Sequence, residues 1–157
     1  MDSQLHLRVA ELYTRHSEII SDNHLEQWPD LYTEDCLYKL VSRANFDRQL
    51  PLGTILCESR GALIDRVTAI RNTMVYAPRS IIHTVSNARL TEVATDGALS
   101  ARSMFCVWQT LPDGQSHLQL VGRSFDRIAV NGEELRFRER IAVFDSELVP
   151  GSIVYPI

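Results

Sequence analysis

The stretch VGRSFDRIAVNGEELRFRERIAVFD, Val121 to Asp145, constrains the fold more than any other part of the chain. It reads as one long β-hairpin. Asn131-Gly132 sits at its centre, and a two-residue type I′ turn needs positive φ at both central positions, which Asn and Gly adopt readily. Beyond the turn, Leu135, Phe137, Ile141 and Val143 fall on one face of a strand and Arg136, Arg138 and Arg140 on the other. Glu139 alone interrupts the apolar row. A strand with one apolar face must bury that face. A long, one-sided hairpin late in a chain of this size fits a small α+β cup better than a nucleotide-binding sheet.

The two strands of this hairpin are out of phase. Across a turn centred on Asn131-Gly132, Ile128 stands opposite Leu135, and strict pairing then sets Phe125 against Arg138. One extra residue near Asp126-Arg127 instead aligns Phe125 with Phe137, Arg123 with Glu139 and Val121 with Ile141. Such a β-bulge also bends the strand. The sequence therefore predicts a bulge in the first strand and an inward-facing Arg123–Glu139 pair; the alternative is that Glu139 reaches the rim and solvent. Arg136, Arg138 and Arg140 form a cationic stripe on the outer face. Asp126 and Glu134 are placed to pair with some of them, at about 0–1 kcal/mol each where exposed.

Upstream, Leu5, Val9, Leu12, Tyr13, His16, Ile19 and Ile20 recur at helical spacing, predicting an amphipathic helix over Ser3–Ser21. His24–Tyr32 reads as a short second helix with Pro29 in its first turn, where a missing N–H costs little. Asp35–Ser42 alternates as a short strand. Arg43–Glu58, with Pro51 and Gly53, is long and irregular, and loops of that length are usually functional or interfacial. Ser59 is placed to cap a third helix with the stripe Leu63, Val67, Ile70 and Met74, ended ahead of Pro78. Four long strands follow: Ile81–Val93, Ala98–Leu111, His117–Val130 and Leu135–Phe144. Asp-Gly occupies the turns at 96–97 and 113–114. The tail Val149–Ile157 sets Ile153-Val154-Tyr155 between Pro150 and Pro156. The pattern predicts a single α+β domain over 1–157, its three N-terminal helices packed against a strongly curved, mostly antiparallel sheet.

Several function classes are disfavoured. A net charge of −4, from 16 basic and 20 acidic residues mixed along the chain, leaves no basic stripe for nucleic acid. No apolar run approaches the ~20 residues of a membrane span. The first residues open with an acidic side chain and lack a signal-peptide core, so a cytoplasmic protein is expected. Cys36, Cys57 and Cys106 are odd in number and far apart, predicting buried free thiols in a reducing compartment. The five histidines form no H-x-H, H-x-x-H or H-E-x-x-H, and there is no C-x-x-C, G-x-G-x-x-G, G-x-x-x-x-G-K or G-x-S-x-G. A redox cofactor is therefore expected on another chain. His83, in RSIIHTVSNARL, is the best acid–base candidate, since Ile81 and Val85 share its strand face. Asp35, Tyr13, Tyr32 and Tyr38 are its possible partners. The alternative is a core or interface histidine bonded to backbone. Trp28 is either a packing anchor or a subunit hot spot.

The segment GRSFDRIAVNGEELRFRERIAVFD resembles the closing hairpin of the NTF2-like (cystatin-like) α+β cup. EQWPDLYTEDCLYKLVSRANFDRQLPLG, CESRGALIDRVTAIRNTMVYAPRSIIHTVSN and LRFRERIAVFD with its Pro-containing tail resemble the small (beta) subunits of bacterial aromatic-ring-hydroxylating dioxygenases. The run Tyr76-Ala77-Pro78-Arg79 with His83 is among the more specific parts. The EQWP and ANFDRQLPLG stretches are most similar to the branch acting on aromatic carboxylates of the anthranilate, terephthalate and halobenzoate types. The resemblance implies a small subunit with no catalytic, cofactor or metal residues of its own. Its large (alpha) partner would carry a Rieske [2Fe–2S] cluster and a mononuclear Fe(II). The small subunit would form the trimeric base of an α3β3 assembly, and reductase or ferredoxin components would deliver electrons from NAD(P)H to the large subunit. The implied interface candidates are Trp28, Arg43, Asn45, Phe46, Tyr76, Arg79 and His83; the implied regions are the Arg43–Gly53 loop, the Tyr76–Arg79 run with Trp28, and the C-terminal tail, the first two facing the large subunit. The competing expectations are a free-standing NTF2-like isomerase or dehydratase using His83, and a binding module with a mostly apolar pocket.

Overall fold

The structure is a computed structural model and describes residues 3–149 and 151–157. Helix α1 spans Ser3–Ser21, the bounds its apolar spacing predicts, and buries Val9, Leu12, Tyr13, His16, Ile19 and Ile20. A 3-10 helix, Leu25–Leu31, leads into strand β1, Tyr32–Ser42. Pro29 lies inside that 3-10 helix, and Trp28 beside it is fully buried. Arg43–Glu58 is more ordered than its composition suggests. Ser42 caps a short helix α2, Arg43–Asp47, by accepting from the Asn45 N–H, and Ile55–Cys57 forms strand β2. Helix α3, Arg60–Asn72, begins where Ser59 Oγ accepts from the Ala62 N–H at 3.1 Å. It stops at Asn72, so Met74 lies beyond it and is exposed.

The rest is strand: β3 Ser80–Val93, β4 Leu99–Thr110, β5 Ser116–Asn131 and β6 Glu134–Phe144. Among the described residues the strands form a six-stranded sheet in the order β2-β1-β6-β5-β4-β3. All neighbours are antiparallel except β1 and β6, which run parallel. The helices cover one face. Alternation along β4 places Leu99, Ala101, Ser103, Phe105 and Val107 inward and Arg102, Met104 and Trp108 outward. Gly122 of β5 is the tightest point. A Cβ there would lie 2.0 Å from the Val143 carbonyl oxygen and 2.7 Å from Phe105 Cζ, so only glycine lets β5, β6 and the core approach this closely.

The closing hairpin differs from its sequence-based reading in three linked ways. Asn131 pairs with Glu134, so the two-residue loop is Gly132-Glu133 rather than Asn131-Gly132. Gly132 has φ of 60° and Glu133 is not positive, the pattern of a type II′ turn with glycine first. The bulge is present but lies between Arg127 and Ile128, with the extra residue, Arg138, on β6 rather than on β5. Consequently Arg123 faces Val143, Glu139 faces Arg127, and the Arg123–Glu139 pair does not form. The slip also changes which side chains point inward. Past the bulge Arg140, Ala142 and Phe144 join Phe137 inside, and Arg140 leaves the outer arginine stripe for full burial.

Candidate functional site

The slip in β6 creates the main polar feature of the interior. Arg140 becomes the register partner of Asp126, and its Nη1 lies 3.2 Å from Asp126 Oδ2. Both side chains are fully withdrawn from solvent. The same carboxylate oxygen accepts from the Tyr13 hydroxyl and, at 2.5 Å, from Ser124 Oγ, which in turn lies 2.9 Å from Ser103 Oγ. Arg140 also packs over the Phe137 ring at 5.2 Å and the Tyr13 ring at 5.6 Å. Burial pushes the Asp126 pKa up, while Arg140, Ser124 and Tyr13 pull it back. A charge pair this deep is held because neither member has water to fall back on. Asp126 and Glu134 each pair with one arginine of the R-x-R-x-R run, as expected: Glu134 with the partly exposed Arg136, and Asp126 with Arg140, a pair that is buried rather than exposed.

His83 points inward with Ile81, as its strand position predicts, and is 3% exposed. Ser17 Oγ donates its one proton to the His83 carbonyl, so at 3.0 Å from His83 Nδ1 it accepts. The proton of His83 is thereby placed on Nδ1, leaving Nε2 bare and without a partner among the described residues. His16 is arranged the other way: its Nε2 accepts from Trp28 Nε1 at 3.3 Å, which puts its proton on Nδ1, an atom with no partner among the described residues. Burial, reinforced by Arg140, holds His83 down to about 3 and His16 well below its ordinary range. Both rings are neutral wall elements. His83 stacks on Phe105 and meets His16 edge-on at 5.6 Å. The histidine–carboxylate dyad considered from sequence does not form, because Asp35 is largely exposed and lies 3.9 Å from Arg138.

The interior is closed by the chain itself. Tyr38 donates to the Ile157 carbonyl at 3.2 Å and accepts from the Ile157 N–H at 2.8 Å, and Arg140 Nε points to the same carbonyl at 3.5 Å. Arg66 holds the Val154 carbonyl at 2.9 Å. Arg79 and Gln119 hold that of Ser152 at 3.0 and 3.1 Å. Val154, Tyr155 and Ile157 are buried. Pro150, the first proline of the expected tail, lies outside the described residues. Cavities of about 640 and 460 Å³ open elsewhere, the first between α1 and the β5–β6 turn, the second on the outer sheet face.

The seven interface candidates separate into two groups. Trp28 and His83 are core residues: Trp28 is fully buried, edge-on to Tyr38 at 5.0 Å and Tyr32 at 5.6 Å. Neither offers a surface to a partner, which corrects their place among the candidates. Arg43, Asn45, Phe46, Tyr76 and Arg79 stay partly exposed. Arg43 bonds Asp145 at 2.8 Å, Phe46 stacks on Phe125, and Arg79 lies over the Tyr76 ring at 5.6 Å. The interior residues Asp126, Arg140, His16 and Ser17 carry no mark of a cluster in the sequence, since only the bulge on β6 brings Arg140 inside. Cys36 and Cys57 are buried free thiols, as expected, but Cys106 is only partly buried. Among the described residues no group of three His, Cys, Asp or Glu side chains is arranged to hold a metal. None of the described helices is long and apolar enough to cross a membrane.

Helices on one face of a mostly antiparallel six-stranded sheet define an α+β protein of the NTF2-like class. Within it, the family model for the ring hydroxylating beta subunit matches residues 15–151, and the chain belongs to that family. It is 28% identical to the anthranilate 1,2-dioxygenase small subunit of Burkholderia cepacia, over 99% of this chain and 96% of that one. It is 26% identical to a terephthalate 1,2-dioxygenase terminal oxygenase beta subunit of Comamonas sp, over 96% and 97%. A crystal structure of a beta subunit assigned to an aromatic-ring-hydroxylating dioxygenase of Novosphingobium aromaticivorans superposes with a TM-score of 0.88. That match has 30% identity and covers 98% of this chain and 97% of that one.

Proposed function

We propose that this chain is the non-catalytic small subunit of the terminal oxygenase of an aromatic-ring-hydroxylating dioxygenase acting on an aromatic carboxylate. Family membership supports the subunit role, and the anthranilate and terephthalate enzymes among its relatives support the substrate class. The observation that carries the non-catalytic part is the seating of Ile157 on Tyr38 and Arg140. A free-standing enzyme on this fold needs an open polar interior for substrate, and here the chain's own tail occupies that place. In this reading residues 1–157 are one NTF2-like domain working in the cytoplasm. Three copies support three large subunits, and the large subunit holds the [2Fe–2S] cluster and mononuclear Fe(II), fed by a separate reductase. The partly exposed Arg43, Asn45, Phe46, Tyr76 and Arg79 are the surface candidates for these contacts.

Co-expression of the tagged chain with a large subunit, followed by light scattering on the eluted complex and iron analysis, tests the reading. The expected result is a brown assembly several times the 17.9 kDa of the chain, with iron tracking the larger polypeptide. A colourless monomer or dimer that captures no large subunit would overturn it.

A further inference from the structure

The outer face of β3, β4 and β5 carries a cationic pocket that the interior network does not use. A bulge shapes it. Between the pairs Ser86–Met104 and Arg89–Arg102, β3 sets two residues, Asn87 and Ala88, against the single Ser103 of β4. Asn87 takes φ of 51°, a left-handed conformation that asparagine tolerates better than most residues, and its amide lies 3.4 Å from Met104 Sδ. Past the bulge Arg89 stands directly opposite Arg102. Arg123, the β5 partner of Met104, is at the next position on the same face, two residue pairs along the ladder. With Met104 and Phe125 these arginines wall a cavity of about 460 Å³.

The charges in this pocket are not balanced. Like charges directly opposed across a sheet repel. Neither Arg89 nor Arg102 makes an ion pair or side-chain hydrogen bond with any described residue. Arg123 has Asp145 at 3.7 Å, but the same carboxylate holds Arg43 at 2.8 Å. The patch is thus opposite in sign to a chain whose net charge is −4. It is also continuous with α2: Asp145 joins Arg43 to Arg123, and the Phe46 and Phe125 rings stack at 5.3 Å, 6° from parallel.

We propose that this pocket receives an acidic segment of the large subunit, with carboxylates paired to Arg89 and Arg102; the proposal rests on the subunit reading above. Guanidinium forks bind carboxylates in a bidentate manner, and Met104 and Phe125 supply apolar walls for the stems of acidic side chains. A polypeptide fits better than a small free acid, because the pocket runs into the α2 surface and one occupant can cover both.

The test is the affinity of the purified chain for the large subunit, measured across a salt series for wild type, Arg89→Glu/Arg102→Glu and Arg89→Gln/Arg102→Gln. Thermal melts establish that each variant is folded. Charge reversal is expected to weaken binding by about tenfold or more near ~0.1 M salt, and the neutral variant by less. Both should flatten the salt dependence. Unchanged affinity and salt slope in folded variants would overturn the pocket while leaving the subunit reading intact. Failure of the wild-type chain to bind any large subunit would overturn that reading and the pocket with it. Two further results would also overturn the proposal. One is loss of self-association by the variants with large-subunit affinity retained, which assigns the pocket to a second copy. The other is arginine-dependent binding of free benzoate with large-subunit affinity retained, which assigns it to a small acid.

Discussion

At the residue scale, stability concentrates at a few positions. Arg140→Met leaves Asp126 buried without its counter-charge and is expected to cost about 3–5 kcal/mol in chemical denaturation. Adding Asp126→Asn should recover part of that loss, because the uncompensated charge disappears with it. Gly122→Ala is expected to cost at least ~1–3 kcal/mol, since the new methyl meets backbone on β6 rather than a flexible side chain. The two neutral histidines set the acid limit. The unfolded chain binds protons on them near their ordinary 6.5, whereas the folded chain holds His83 down to about 3 and His16 low as well. The unfolded state therefore takes up protons first. Their contribution is fully present above about 6.5 and is lost as pH falls toward 3. The raised Asp126 works in the opposite sense at the acid end and only blunts the loss. The expected outcome is a melting temperature lower by roughly 5 °C or more at pH 5 than at pH 7, with a flatter profile in His83→Gln.

Among the elements, α1 and the four long strands were legible because each presents a clean period to a single buried face. Helix α1 matches its apolar spacing from end to end, and the strands differ from their sequence bounds by a residue or so at most ends. The hairpin shows where such reasoning stops. The apolar spacing shows β5 and β6 out of phase, but the phase can be restored by an extra residue on either strand. Packing chose β6, because that choice buries Phe137 and delivers Arg140 to Asp126. The interior cluster was hidden for the same reason: an arginine in an R-x-R-x-R run looks solvated until a bulge changes its parity. In the tail, one backbone group after another is held by a distant element, through the side chains of Arg66, Arg79, Gln119 and Tyr38. Ending the chain after Ser152 removes the buried Val154, Tyr155 and Ile157, each worth about 1.5–3 kcal/mol if fully buried. A lower melting temperature and new binding of a hydrophobic dye are the expected outcomes. An unchanged melt would show that the tail lies on the interior without supporting it.

On the scale of the whole molecule, the sheet is sewn together by its most distant parts. The first long strand, Tyr32–Ser42, has only the three-residue β2 on one side, and its other neighbour is β6, Glu134–Phe144. While the protein is being made, α1, the 3-10 helix and β1 leave the ribosome with apolar faces whose partner does not yet exist. The β3–β4–β5 meander can pair as it emerges, whereas β1 must wait about a hundred residues for its parallel neighbour and the tail that covers it. The order of synthesis thus leaves the amino-terminal third dependent on the last strand, and a nascent chain stalled before Glu134 presents Trp28, Tyr32 and Tyr38 to whatever surrounds it.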